Sequence, residues 1–364
     1  MFQDPFVLYT GPQNKFGVIP MGKFSKTKEM KKKKKVVVIG GGTGSFTVLS
    51  GLKKYDDIEL TAIVSMADDG GSTGILRDEY GALPPGDVRQ CLVALSEEEK
   101  TLRDLFNFRF TSGALRGHSF GNLFITALEK VTGDFDKALE EASKVLKVRG
   151  EVVPVTLDKV RLVAELGNGK KLYGEGDISD YQMISRFGIK KIYLDKKAKA
   201  NKKALNAIKE ADMIVVGPGS FYSSLIPNFL VSGISTALKN SKAKKVFICN
   251  IMNKYGHTDD FKVEDFVDGI EKFVGKGVFD LVIYNTKIPS AILLKKYMDE
   301  GEPVLLGSKN GKKKYKLVGL DILSKSSVKK NKGDVLMQRT FIRHDPDKLG
   351  DALTKVLKTG FPEH

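Results

Sequence analysis

A run of four β-branched residues, Val36-Val37-Val38-Ile39, leads directly into Gly40-Gly41-Gly42-Thr43-Gly44-Ser45. No other pattern in the chain restricts its fold as tightly. A short apolar run without alternation fits a strand buried on both faces, as in a parallel sheet covered by helices. The glycines permit a tight turn and close backbone approach, and a helix-like stretch then runs through Leu52. A second apolar run, Leu60 to Val64, ends in Asp68-Asp69-Gly70-Gly71-Ser72-Thr73-Gly74. Strand, Gly-rich turn, helix, strand is the opening of a parallel α/β sheet, and we expect helices on both of its faces.

Helical patterns are expected at about 87–95, 98–108, 119–131 and 134–146, the first N-capped by Asp87 and the last by Asp134. The texture changes near residue 150. Val152–Val155, Val160–Leu166 and Lys171-Leu172-Tyr173 read as short strands, and Asn168-Gly169 is a hairpin turn. This predicts an antiparallel β insertion over 150–195. The α/β pattern resumes with the buried strand Met213-Ile214-Val215-Val216, the turn Gly217-Pro218-Gly219-Ser220 and a helix to about Lys239. Further strands are expected at Val246–Cys249 and Leu281–Tyr284, and a closing helix at Asp347–Leu357. The expected organisation is thus a disordered basic leader over 1–35, a first α/β half over 36–149, the insertion over 150–195 and a second α/β half over 196–364. Met30 is a candidate natural start.

The net charge of +16 suggests nucleic acid until it is located. Residues 23–35 contribute +7 and residues 309–332 contribute +8, so two lysine-rich segments hold nearly all of it. Nucleic-acid binders spread Lys and Arg over a folded face among base-reading side chains. Charge runs of this kind are solvated segments, and we expect no nucleic-acid partner. No apolar run is long enough for a membrane span and no signal peptide is visible. The two cysteines, Cys91 and Cys249, lie in apolar surroundings, which suits a reducing cytoplasm.

Five loop-to-helix motifs carry the candidate chemistry. Gly41, Gly42, Thr43 and Gly44 would let a phosphate meet free N–H groups at a helix N-terminus. The pattern approaches a dinucleotide fingerprint, but Ser45 stands where its third glycine would be, so a turn without ligand is the alternative. Asp68 and Asp69 end a buried strand and are suited to a metal, a ribose hydroxyl or an acceptor hydroxyl, or else Asp69 or Ser72 caps a helix. In Leu83-Pro84-Pro85-Gly86-Asp87-Val88-Arg89, Asp87 reads as an N-cap, and Arg89 opposes the helix dipole and so points at an anion or a carboxylate. Gly117-His118-Ser119-Phe120-Gly121-Asn122 offers His118 and Asn122 to a phosphate or sugar hydroxyl, or holds a structural histidine. Gly217-Pro218-Gly219-Ser220 is a second phosphate-ready turn. Two such turns at one edge of a parallel sheet make a crevice, and Asn250 ends a strand on that edge. Arg343 is suited to clamping a phosphate or stacking on a base, with Tyr297 as a stacking surface, and solvent exposure is the alternative for both.

In this order, Ile39–Gly44, Ala67–Ser72, Leu83–Arg89, Gly117–Leu123 and Gly217–Ser220 resemble the motifs of the 2-phospho-lactate transferase (CofD-like) superfamily. The nearer group is its gluconeogenesis-factor (YvcK-like) branch, and the resemblance spans about residues 36–357. It implies a cytoplasmic Rossmann-like protein. The gluconeogenesis-factor branch binds a UDP-sugar and supports cell shape during growth on gluconeogenic carbon. The transferase branch moves a phospho-lactyl group from a nucleotide diphosphate to a deazaflavin, with a divalent metal held by aspartates to which Asp69 and Asp87 are similar. Two departures stand out. Pro84-Pro85-Gly86-Asp87 replaces the transferase's Ser-Pro-Asp-x-Asp, and Met252-Asn253-Lys254-Tyr255-Gly256-His257-Thr258 replaces the group's Met-Thr-Gln-Pro-Gly-Glu-Thr, losing a carboxylate at His257.

Three functions follow as expectations. The first is a UDP-sugar-binding regulator without turnover, with UDP-N-acetylglucosamine as the type of ligand. The second is a transferase using Mg2+ with Asp69 and Asp87. The third is an NAD-binding protein, suggested by the first Gly-rich turn. A homo-oligomer is compatible with each.

Overall fold

The computed structural model describes residues 32–178, 181–297, 299–307, 313–325 and 342–360. Ten strands occur among them: β1 (Lys34–Gly40), β2 (Ile58–Val64), β3 (Glu151–Pro154), β4 (Leu162–Leu166), β5 (Lys171–Tyr173), β6 (Ile189–Leu194), β7 (Met213–Val216), β8 (Lys244–Ile248), β9 (Leu281–Asn285) and β10 (Lys316–Leu320). Seven form one sheet in the order β10-β9-β8-β7-β1-β2-β3, and every pairing in it is parallel. The expected Rossmann-like α/β architecture is therefore the one observed.

The apolar runs explain the centre of this sheet. Val36 to Ile39 and Met213 to Val216 are at most 2% exposed, because helices cover both faces. Ile39 pairs with Val216 and Gly40 with Val64. The carboxyl ends of β1, β2 and β7 thus lie side by side, and the Gly-rich turns leave from one edge.

The insertion is smaller than its sequence suggests. Val152–Val155 is not part of it, since β3 pairs in parallel with β2 at the end of the main sheet. Val152, Val153 and Pro154 are buried and only Glu151 is exposed, so β3 closes the edge of the parallel sheet and does not belong to a half-exposed hairpin. The antiparallel excursion is β5-β4-β6, with β4 and β5 joined through Asn168-Gly169 as expected.

Other boundaries also shift. Lys34 and Lys35 belong to β1, not to the leader, and are tied to Asp212 and Glu210. The rest of the leader, residues 1–31, lies outside the described residues. Within the second lysine-rich segment, Lys316–Leu320 is the edge strand β10 and not a solvated run, while 308–312 and 326–332 lie outside the described residues. Asp134 caps its helix through Lys137 N, as expected. Asp87 does not cap: the helix runs Gly86–Leu95, Pro85 takes the cap position and Asp87 lies in the first turn. Neither Asp69 nor Ser72 caps the helix Gly71–Tyr80, whose N-cap is Gly70. The long helix expected after Ser220 is broken into a π-helical turn Phe221–Leu225 and helices Ile226–Leu230 and Ile234–Asn240.

Candidate functional site

The first turn opens the helix Gly42–Leu52. Its cap residue Gly41 is extended and supplies no side-chain cap, so the first N–H groups of the helix must find partners elsewhere. One of them, Gly42 N–H, donates to Asp87. Ser45 Oγ is buried in the same turn without a hydrogen-bond partner.

The second turn lies directly on the first. A Cβ added to Gly44 would overlap the carbonyl oxygen of Pro218 and meet Gly219 N at 3.2 Å. Only a residue without a side chain permits this approach. Asn250 holds the second turn from the end of β8: its Nδ2 donates to Gly219 O at 2.9 Å, and its Oδ1 accepts from Gly219 N at 3.3 Å. Asn250 therefore shapes the turn, a role its position at the strand end did not specify. Gly217 has φ +76° and is buried, Gly219 is half-buried and Ser220 is exposed at the turn's outer end.

A group of carboxylates floors the crevice between the turns. Asp87 lies against Gly41, where any Cβ would strike its Oδ2. Asp68 bonds Gly70 N through Oδ1 at 2.9 Å and lies against Gly86. Glu175 reaches in from the short helix Gly174–Ile178 of the insertion and bonds both Asp68 and Ser223. Burial, then the charge of Asp68, pushes Asp87 up to about 8. Burial and the neighbouring Asp68 and Asp87 raise Glu175 well above the usual carboxylate range, and burial raises Asp68. Like charges this close cannot all ionise together, so the group holds protons at neutral pH.

The expected pairing of Asp69 with Asp87 is replaced. The carboxylate facing Asp87 belongs to Asp68; Asp69 turns towards the insertion, where its Oδ1 accepts from Gly176 N at 3.0 Å. Among the described residues no three His, Cys, Asp or Glu side chains converge closely enough to hold a metal ion.

Arg89 also differs from expectation. It is buried, 6% exposed, and its guanidinium binds Asn122 Oδ1 at 3.0 Å, Phe106 O at 3.3 Å and Asn107 Oδ1. It lowers the pKa of Asp87 but is enclosed by its own half of the protein, so it positions other groups and is not an open anion clamp. Asn122 passes the order on, donating to Ser72 Oγ at 3.4 Å, and Ser72 Oγ meets His118 Nδ1 at 3.2 Å. Arg89, Asn122, Ser72 and His118 thus form one hydrogen-bonded row, with His118 half-buried at its end.

Tyr297 is not a surface for stacking. It is 8% exposed in a small apolar cluster with Ile251, Met252, Leu323 and Ile342, and burial pushes its hydroxyl up to about 12. Arg343 is half-buried within electrostatic reach of Tyr297, and its neighbour His344 bonds Cys249 O at 3.1 Å. His257 is also buried: its ring lies 6.0 Å from that of Tyr222, and burial holds it neutral with a pKa of about 3.

Sequence reasoning missed Glu175 as a site residue. Its only signal is an acidic residue between two glycines, Gly174 and Gly176, just after a three-residue strand.

The fold and these turns define a class: a Rossmann-like α/β protein with two abutting Gly-rich turns above a carboxylate floor. Residues 36–325 match the family described as 2-phospho-L-lactate transferase CofD. The chain belongs to this family. It is 43% identical over 328 residues to a putative gluconeogenesis factor of Aquifex aeolicus, spanning 87% of this chain and 95% of that protein. It is 40% identical over 321 residues to the gluconeogenesis factor of Bacillus subtilis, spanning 87% and 96%. The crystal structure of a UPF0052-family protein from Bacillus halodurans superposes with a TM-score of 0.78 at 38% identity, covering 89% of this chain and 99% of that one. No helix among the described residues is long and apolar enough to cross a membrane.

Proposed function

We propose that this chain is a cytoplasmic gluconeogenesis factor: a nucleotide-sugar-binding regulator, with UDP-N-acetylglucosamine as the type of ligand, that supports cell shape on gluconeogenic carbon. One observation carries the binding reading, the backbone contact between the turns at Gly44 and Pro218. It brings two segments suited to phosphate within reach of one diphosphate at the carboxyl edge of a parallel sheet. The unpartnered Ser45 hydroxyl and the half-buried Thr43 lie at the same place. The link to gluconeogenesis rests on the names of the relatives, and the regulatory role and the link to cell shape rest on the motif resemblance.

Gly219→Asp tests the reading. The nearest neighbours of an added Cβ at Gly219 are the side chains of Leu225 and Ser224, at 3.2 and 3.4 Å, so the fold has room to adjust. The new carboxylate stands where the diphosphate would lie. Isothermal titration with UDP-N-acetylglucosamine should show binding without Mg2+, at least tenfold weaker in the variant, a loss of at least ~1.4 kcal/mol. Equal affinity in the two proteins would refute the shared-turn site.

The family match supports a second reading, a metal-dependent transferase of the 2-phospho-lactate type. That reading requires GDP binding that depends on Mg2+ and is lost in Asp87→Asn. Metal-independent sugar-nucleotide binding that survives the same substitution would reject it. NAD in the same titration tests the third reading.

A further inference from the structure

Away from the Gly-rich turns, a cavity of about 200 Å3 opens between the helix Gly71–Tyr80 and the base of the insertion. Arg77, Lys159, Arg161, Lys196 and a single carboxylate, Asp195, line it together with the backbone around Gly81. The four cations come from three separate stretches of chain, so local sequence does not account for their convergence.

Each cation is held or left available in a way that matters. Arg77 is anchored behind the cavity wall: its two terminal nitrogens donate to Asp68 O at 2.8 Å and Val160 O at 2.7 Å, and Arg161 stands within electrostatic reach of it. Arg161 is paired with Asp78, and its backbone N donates to Asp195 Oδ1 at 2.9 Å. Lys159 is exposed and has Glu129 within electrostatic reach; neither it nor Lys196 makes a salt bridge among the described residues. Two neighbouring guanidiniums and two unbridged ammonium groups around one recess form an arrangement that an anion stabilises.

We propose that this recess binds a small phosphomonoester or inorganic phosphate. The volume lies below the ~300–1,000 Å3 of sites for drug-sized ligands, which points to a phosphate with at most a short stem. The cations favour a dianion over a single carboxylate, since the unbridged ammonium groups of Lys159 and Lys196 add two point charges beside the already bonded guanidiniums of Arg77 and Arg161. The site does not rest on the nucleotide-sugar reading, for it shares no lining residue with the two turns. Arg77 joins it to the carbonyl of Asp68, so an occupant would press on the backbone that carries the carboxylate floor.

The experiment is a calorimetric titration of the full chain with inorganic phosphate, with glycerol 1-phosphate and with acetate, at constant ionic strength. The same titrations are run on Lys159→Gln/Lys196→Gln, which replaces exposed side chains and leaves the Arg77 and Arg161 bonds intact. The expected result is saturable binding of phosphate or glycerol 1-phosphate, none of acetate, and affinity reduced at least tenfold in the double variant. Stronger binding of glycerol 1-phosphate identifies an ester as the ligand; equal binding identifies the free anion. Phosphate binding that is unchanged in the double variant places the anion elsewhere and overturns the proposal, as does no binding at millimolar concentration.

Discussion

Gly44→Ala should destabilise the protein by about 3 kcal/mol or more, at the upper end for overpacking. The added methyl would overlap a carbonyl oxygen of the opposite turn, a neighbour with no rotamer to change. Nor is that turn free to retreat, because Asn250 binds both the N–H and the carbonyl of Gly219. Either the helix Gly42–Leu52 shifts along β1 or the second turn leaves Asn250, and both routes unpair buried polar groups. Gly70→Ala is the control. Gly70 has φ −74°, and its nearest neighbour for a Cβ is Asp68 Oδ1 at 3.5 Å, so the cost should stay within about 1 kcal/mol. Urea unfolding of both variants against the parent gives the comparison. A Gly44→Ala loss no larger than the control's would mean that the two turns are not in contact.

Asp87→Asn should make the ligand-free protein more stable at pH 7.5. A carboxyl whose folded pKa is about 8, against 3.8 when unperturbed, prefers its protonated form in the native state. Between those values the native protein binds more protons than the unfolded chain, so stability declines as pH rises from about 4 to 8 and then levels. Below about pH 4 the side chain is neutral in both states and Asn gains nothing from charge. At ~1.36 kcal/mol per pKa unit the full shift would exceed 5 kcal/mol, but three carboxylates share the protons. Asn also weakens the Gly42 N–H bond, an effect of about 0.5–1 kcal/mol. The net gain should be about 2–3 kcal/mol at pH 7.5 and vanish near pH 4. Urea midpoints at pH 4.5, 6 and 7.5 measure it. A less stable variant at pH 7.5, with parent stability rising from pH 5 to 8, would show that Asp87 is ionised and well paired.

Much of the fold was legible because its signals are local. Val36–Ile39 and Met213–Val216 are apolar without alternation, which only a strand covered on both faces tolerates, and glycines end both at the same sheet edge. The helix cap of Asp134 and the hairpin at Asn168-Gly169 were equally readable, since each depends on a few consecutive residues. The five motifs that mark the family are of the same kind, short loops where backbone geometry selects the residue.

Tertiary structure decided what those loops meet. Asp68 and Asp69 are adjacent and chemically alike, and past the end of β2 no strand alternation says which one faces Asp87. Glu175 joins them from more than 100 residues away because the insertion folds back over the sheet edge. Arg89 is drawn inward by Asn107 and Asn122, and Tyr297 by an apolar cluster assembled from distant segments. The strands β3 and β10 are the two edges of the parallel sheet, so their place depends on the single neighbours β2 and β9 more than on their own residues. The sequence by itself determined the parallel sheet, its two glycine turns and the family; which carboxylates share the crevice was decided only by long-range packing, because burial and charge repulsion depend on groups that the chain order keeps apart.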